Sequence, residues 1–208
     1  MNILAIDTSG KHLAVLIKKG GEISGIYRPD CGLTHSEIML PSVDAALYAA
    51  GLTLGQIDCL SAVIGPGSFT GIRIGLTAVR AMCQVLNKPA VAVNSLEYAA
   101  YNIYSERIPV TDAGNGKVYY AAYDGQNSEI LPPSACELPE LGMKLRGVPG
   151  TVISALKLDL DRPVISEFDA LACLSACIDG KLKEGEPQHY SKLVPLYVRV
   201  SQAEERLK

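Results

Sequence analysis

Short apolar runs separated by polar turns fill the first third of the chain. Ile3 to Ile6 is an apolar run that stops at Asp7-Thr8-Ser9-Gly10, the pattern of a doubly buried strand running into a polar turn. Leu13 to Ile17 and Glu22 to Tyr27 read as the next two strands. Lys18-Lys19-Gly20-Gly21 between them predicts a tight hairpin. The period then lengthens. Ser36 to Ala50 reads as a helix, with Thr34 as N-cap, Glu37 completing a capping box and Gly51 as the stop. Asp58 to Gly65 is a fourth strand, Thr70 to Leu86 a second helix, Ala90 to Val93 a fifth strand, and Glu97 to Tyr104 a short helix.

Three antiparallel strands that extend into parallel strands through crossover helices give a mixed sheet covered by helices. That order resembles the ribonuclease-H-like lobe of actin, sugar kinases and Hsp70-type ATPases. The second half restarts with strands at Ile108 to Asp112, Val118 to Tyr123 and Ser128 to Leu131. Pro132-Pro133 and Pro139 then predict irregular connections. Thr151 to Leu156 reads as a strand, Asp169 to Leu182 as a helix ended by Gly185-Glu186-Pro187, and Leu193 to Val200 as extended. The expected class is an α/β fold with a full N-terminal lobe, 1–104, and a reduced C-terminal lobe, 105–208.

Composition narrows the function more than the fold. The 208 residues carry a net charge of −3, so no basic surface for nucleic acid is expected. No apolar run reaches the length of a membrane span, and the apolar run before Asp7 is too short for a signal peptide. The six cysteines form no C-x-x-C pair. Cys173 and Cys177 share a helical face and read as buried thiols. These features describe a soluble cytosolic protein with reduced cysteines.

The run Gly65-Pro66-Gly67-Ser68-Phe69-Thr70-Gly71-Ile72-Arg73-Ile74-Gly75 is the most informative stretch. Its glycines at a strand-to-helix turn let a backbone come close to another molecule. It is neither a P-loop, since Ile72 follows Gly71, nor a G-x-G-x-x-G fingerprint, since Thr70 stands where glycine is needed. Asp7, Thr8 and Ser9 occupy the turn at which ATPases of this architecture face phosphate and Mg²⁺; the same residues also suit a self-satisfied β-turn. Arg73 opposes the positive end of its helix and asks for a carboxylate or a bound anion. The second helix is apolar almost all round, and the first carries apolar residues among alanines. Surplus apolar faces imply a protein partner, and Met39, Val43, Leu47, Ile74, Ala78, Met82 and Val85 are the expected contacts. His12, His35 and His189 are separated, so no metal site or catalytic set assembles locally.

Ile3 to Ser9, His35 to Pro41, the Gly65 to Gly75 run, Val93 to Glu97, Asp112-Ala113 with Val118 to Ala121, and Pro195 to Arg199 together resemble the bacterial TsaB (YeaZ) family. The resemblance covers nearly the whole chain. It implies a non-catalytic, cytoplasmic scaffold subunit needed to make N6-threonylcarbamoyladenosine beside the anticodon of tRNAs that read codons beginning with A. The implied partners are a TsaD-like catalytic subunit, docked through the N-lobe helices, and a TsaE-like ATPase. ATP and a metal ion belong to those partners, and this chain needs no cofactor of its own. It reaches tRNA only through the complex, and alone it pairs with itself. A third reading, a direct tRNA-binding module, is opposed by the mild acidity of the chain, and Lys181, Lys183, Lys192 and Arg199 are then candidates for a local tRNA contact inside a complex. TsaD-like proteins hold their metal with the last two histidines of a His-His-Met-Glu-Gly-His run. Those positions correspond to Ser95 and Ala99, neither of which brings an imidazole. The family commonly has arginine where this chain has Gly114. The competing reading is an enzyme acting alone, either a weak nucleotide-binding ATPase using Asp7 or a metalloprotease-like hydrolase.

Overall fold

The apolar run at Ile3 becomes the middle of a sheet because both of its faces find cover. In the computed structural model, which describes residues 1–31, 34–101, 103, 105–185 and 187–199, the first lobe holds β1 (Asn2–Asp7), β2 (Leu13–Lys19), β3 (Glu22–Arg28), α1 (His35–Ala49), β4 (Cys59–Gly65), α2 (Phe69–Leu86), β5 (Ala90–Asn94) and α3 (Ser95–Ala99). Strand order is β3-β2-β1-β4-β5. The β1–β2 and β2–β3 pairs are antiparallel, and β1–β4 and β4–β5 are parallel. This is the mixed sheet that the sequence predicts.

The second lobe holds β6 (Arg107–Gly114), β7 (Lys117–Tyr123), β8 (Glu129–Glu137), α4 (Leu141–Lys144), β9 (Thr151–Ile153), β10 (Val164–Ile165) and α5 (Ala170–Lys183). Its order, β10-β9-β6-β7-β8, with β6–β7 and β7–β8 antiparallel and β6–β9 and β9–β10 parallel, is the first sheet's topology repeated. The crossovers differ. α4 has only four residues, and none of the helices in the described residues joins β9 to β10. The fold is of the actin/Hsp70/sugar-kinase type, with one lobe reduced.

The layers follow from which residues are apolar. Leu4, Ile6, Leu13, Val15 and Ile17 pack with Met39, Val43, Leu76 and Val79 of α1 and α2 on one face of the first sheet. Ile3, Ala5, Leu16, Val91 and Val93 pack on the other face with Cys173, Leu174, Cys177 and Ile178 of α5. α5 therefore belongs to the packing of the first sheet, so a chain division at 104/105 does not follow the cores. Cys173 and Cys177 are buried free thiols there, and burial pushes the Cys177 thiol well above its ordinary value. Leu96 of α3 packs with Tyr119, Ala121 and Tyr123 of the second sheet, and α3 also packs against α5, so α3 joins the second sheet to the first.

Local differences from the expected elements have local causes. β8 runs straight through Pro132-Pro133 because it is an edge strand, where a missing N–H need not interrupt a ladder. Its pairing with β7 shifts register there. Thr34 makes no side-chain cap. Its hydroxyl donates instead to the Cys31 carbonyl at 2.7 Å, so the expected capping box is not formed. β9 ends at Ile153, and the short β10 has no clear pattern in the sequence. α3 ends at Ala99; the expected end at Tyr104, and Glu186 and Val200 farther on, lie outside the described residues. No described helix is long and apolar enough to cross a membrane.

The glycine run sets how α2 meets β1. Ser68 caps α2, its hydroxyl accepting from the Gly71 amide at 3.2 Å. The Ser68 amide donates to the Ser9 carbonyl at 2.7 Å. A methyl group on Gly67 would stand 2.2 Å from the Ser9 carbonyl oxygen, on Gly71 2.1 Å from that of Thr8, and on Gly75 2.4 Å from the Thr8 hydroxyl. Gly65, at φ +110°, lies under Leu196, whose carbonyl would meet a methyl group at 2.8 Å. These glycines serve contact between backbones of the same chain. Gly71→Ala should lower the unfolding free energy by about 3 kcal/mol, since a backbone oxygen must move. Gly55→Ala, with open space around the new methyl group, should change it by less than about 0.5 kcal/mol. Urea unfolding of the two variants checks the contrast.

Candidate functional site

Two regions were expected to carry function, and the structure treats them differently. Asp7 ends β1 with its side chain fully buried. One carboxylate oxygen accepts from the Ser9 amide at 2.7 Å. The other accepts from His12 Nε2 at 2.7 Å and from the Tyr98 hydroxyl. Burial alone would push this carboxyl up, but the His12 charge and the bonds from His12, Ser9 and Tyr98 outweigh it and hold the pKa at about 2. Burial likewise pulls the imidazole of His12 down, and the Asp7 charge and hydrogen bond more than reverse it, leaving His12 raised. Tyr98 is raised well above its ordinary value by burial and by Asp7.

Thr8 and Ser9 are committed as well. The Thr8 hydroxyl donates to the Gly71 carbonyl at 2.7 Å, and both residues are buried. The Asp7–Ser9 turn, expected to face a nucleotide, instead faces its own chain. The His12 side chain, which stands alone in the sequence, is its counter-ion. His35 is structural too, its Nε2 donating to the His12 carbonyl at 2.9 Å. Spacing gave no signal for these partners, because Tyr98 lies 91 residues from Asp7.

The positions matched to metal ligands have other duties. The Ser95 hydroxyl donates to the Pro66 carbonyl at 2.6 Å, Ala99 is buried, and Glu97 pairs with Lys181 at 3.1 Å. Among the described residues no three His, Cys, Asp or Glu side chains gather where an ion could bind. Gly114 sits at φ +74°, a conformation that an arginine adopts only at a cost.

The outer face of α1 and α2 is the open region. Met39, Val43 and Leu47, expected there, are core residues exposed by 5% or less. Their i, i+4, i+8 stripe turns inward against the sheet, while Leu40 and Tyr48 point outward at 53% and 89% exposure. Both were visible as apolar members of the helix, but periodicity could not choose between two apolar stripes. On α2 the expected residues do reach the surface. Ile74, Ala78 and Met82 are half-buried and Val85 is 84% exposed. An open groove of about 590 Å³ runs along α2 from Phe69 to Ala81. Arg73 stands at its upper end, and among the described residues no carboxylate pairs with it. Its guanidinium carbon lies 3.7 Å from the Phe69 ring centroid, and its Nε donates to the Tyr197 hydroxyl at 2.8 Å. The two rings stack at 4.9 Å. π faces thus offset the charge that the helix N-terminus repels. Phe69 was visible four residues before Arg73; Tyr197 was not.

The Asp7 network has a pH signature. A carboxyl held at about 2 rather than 3.8 contributes stability that is complete above about pH 4 and lost as pH falls toward 2. A raised imidazole contributes stability that is complete below its ordinary value and lost as pH rises through the higher one. The urea midpoint should therefore peak between about pH 4 and 6.5. Asp7→Asn should flatten both limbs and cost on the order of 2 kcal/mol at the peak.

Comparison with known proteins places this geometry in a family. Residues 16–169 match the family model described as TsaD, tRNA N6-adenosine threonylcarbamoyltransferase. A tRNA threonylcarbamoyladenosine biosynthesis protein TsaB from Bacillus subtilis is 33% identical over 138 residues, 64% of this chain and 60% of the relative. Its counterpart from Escherichia coli is 30% identical over 135 residues, 62% of this chain and 58% of the relative. The chain thus spans about 60% of the length of these curated relatives. YeaZ from Pseudomonas aeruginosa superposes with a TM-score of 0.75 at 24% identity, over 94% of this chain and 99% of that one, and so shares the fold. The chain belongs to the TsaD family and, within it, is of the TsaB (YeaZ) kind.

Proposed function

We propose that this chain is a non-catalytic scaffold subunit of the machinery that makes N6-threonylcarbamoyladenosine in tRNA, working in the cytoplasm. Its outer α1–α2 face docks a TsaD-like catalytic subunit. A TsaE-like ATPase completes the assembly, and nucleotide, metal and tRNA are handled in the complex. One observation carries the reading: the Asp7–Ser9 turn and the glycine run, where proteins of this architecture hold phosphate, are closed on each other by backbone contact. What stays open is apolar helix surface, with Val85, Tyr48 and Leu40 outward. A solitary ATPase would need the Asp7 carboxylate, and three hydrogen bonds inside the protein already occupy it. Lys181 pairs with Glu97, and Arg199 donates to the Ala113 carbonyl at 3.0 Å, so two of the four cations considered for tRNA are tied into the fold. Without its partner, the chain pairs with itself through the same helices, in competition with the catalytic subunit.

Reconstitution of tRNA modification tests this directly. Omitting the chain should abolish product, as should metal-ligand variants of the catalytic subunit. The purified chain alone should turn over no ATP, and turnover lost in Asp7→Ala would defeat the proposal. Val85→Glu should weaken binding of the catalytic subunit at least about tenfold, because a charge must be buried. Thermal unfolding should be unchanged in that variant.

A further inference from the structure

Arg107, at the start of β6, is a cation sealed from water, with no exposed surface. Its Nη1 donates to the carbonyls of Asp124 and Ser105, the latter at 3.3 Å, and its Nη2 to the side-chain oxygen of Asn127. All three acceptors are neutral. Among the described residues no carboxylate pairs with Arg107, and its Nε finds no hydrogen-bond partner. The Asp124 carboxylate serves its own turn instead, accepting from the Gln126 and Ser128 amides at 2.8 Å each. The Tyr123 ring, 5.8 Å from the guanidinium carbon, offsets only part of the charge. A cation buried this way is costly until an opposite charge comes near it.

The asparagine that Arg107 holds also walls a polar cleft of about 250 Å³. Gly125 and Asn127 of the β7–β8 turn face Asp179, Gly180 and Lys183 of α5 across it, and Tyr101 reaches in to lie against Gly180. Arginine has donors only, so its bond compels the Asn127 amide to turn its oxygen toward Arg107. What Asn127 offers the cleft is therefore Nδ2, a donor. Lys183 adds an exposed ammonium and Tyr101 a hydroxyl. The Asp179 carboxylate is already matched by Lys18. This cleft is remote from the Asp7 turn, for Lys18 is opposed to Ile3 of β1 while Asp7 is opposed to Ala14 at the other end.

We propose that this cleft binds the carboxylate or phosphate group of a small metabolite, held by Asn127 Nδ2, Lys183 Nζ and the Tyr101 hydroxyl. The bound anion is the counter-charge that Arg107 lacks, felt through the Asn127 amide. Donation from Arg107 to Oδ1 polarises that amide and strengthens donation from Nδ2 to the anion. At about 250 Å³ the cleft is smaller than the roughly 300–1,000 Å³ of drug-sized sites, which limits the guest to a small molecule. α5 packs on the first sheet, and the β7–β8 turn belongs to the second. An anion between them ties the two lobes together.

Inorganic phosphate and acetate, titrated separately into the full chain at constant ionic strength, are the probes. At least one should raise the thermal unfolding midpoint saturably, with half the effect at or below about 10 mM. A response to phosphate alone assigns a phosphorylated guest, and one to acetate alone a carboxylic one. Lys183→Glu should weaken the binding at least about tenfold. Asn127→Asp gives Arg107 a carboxylate within the fold, so it should raise the midpoint of the anion-free chain and abolish the response. Arg80→Glu, the same charge change on α2 across the first sheet, should leave binding within about twofold. The proposal is overturned by no saturable response to either anion, by a response that either cleft variant leaves intact, or by one that Arg80→Glu removes. Should Asn127→Asp fail to fold, Lys183→Glu, at an exposed position, still decides.

Discussion

Backbone pressed against backbone, where the β1–β2 turn meets the first turns of α2, is the constraint on which the rest depends. Gly67, Gly71 and Gly75 remove the side chains that would hold the two segments apart. The Ser68 amide and the Thr8 hydroxyl then bond across the gap. Closing the turn this way seals the Asp7 carboxylate indoors. A buried carboxylate is tolerable only with partners, and His12, Tyr98 and the Ser9 amide supply them. A position suited to phosphate and Mg²⁺ in this architecture is thereby converted into an internal tie between β1, the β1–β2 turn and α3.

The same economy shapes the second lobe. Its sheet repeats the topology of the first, yet its crossovers have shrunk to α4 and irregular chain. α5 compensates by packing on the first sheet rather than on its own. Lys18 of β2 and Asp179 of α5 form an ion pair that fixes this docking. The reduced lobe buttresses the full one from behind and leaves the α1–α2 side uncovered. Exposed apolar surface costs solubility unless something covers it, and this is what supports the partner proposed for that side.

Much of the architecture was legible in the residues. The doubly buried β1, the Gly20-Gly21 hairpin, the two long helices and the crossover order followed from local periodicity and turn chemistry, which neighbours along the chain control. The glycine run marked its own place at a strand-to-helix junction, and several short segments carried the family. β8 was cut short because proline is read as a breaker unless the strand is known to lie at an edge. That is a property of the sheet and not of the segment.

Tertiary structure decided the rest. α1 offered two apolar stripes of similar quality, and only the position of the sheet turned Met39, Val43 and Leu47 inward and left Leu40 and Tyr48 outside. Arg73 found Tyr197 across 124 residues, and Asp7 found Tyr98 across 91. Sequence by itself determined the elements, their order and the kinship. Whether a carboxylate faces a ligand or the interior depends on which distant groups arrive beside it, and no periodicity along the chain records that.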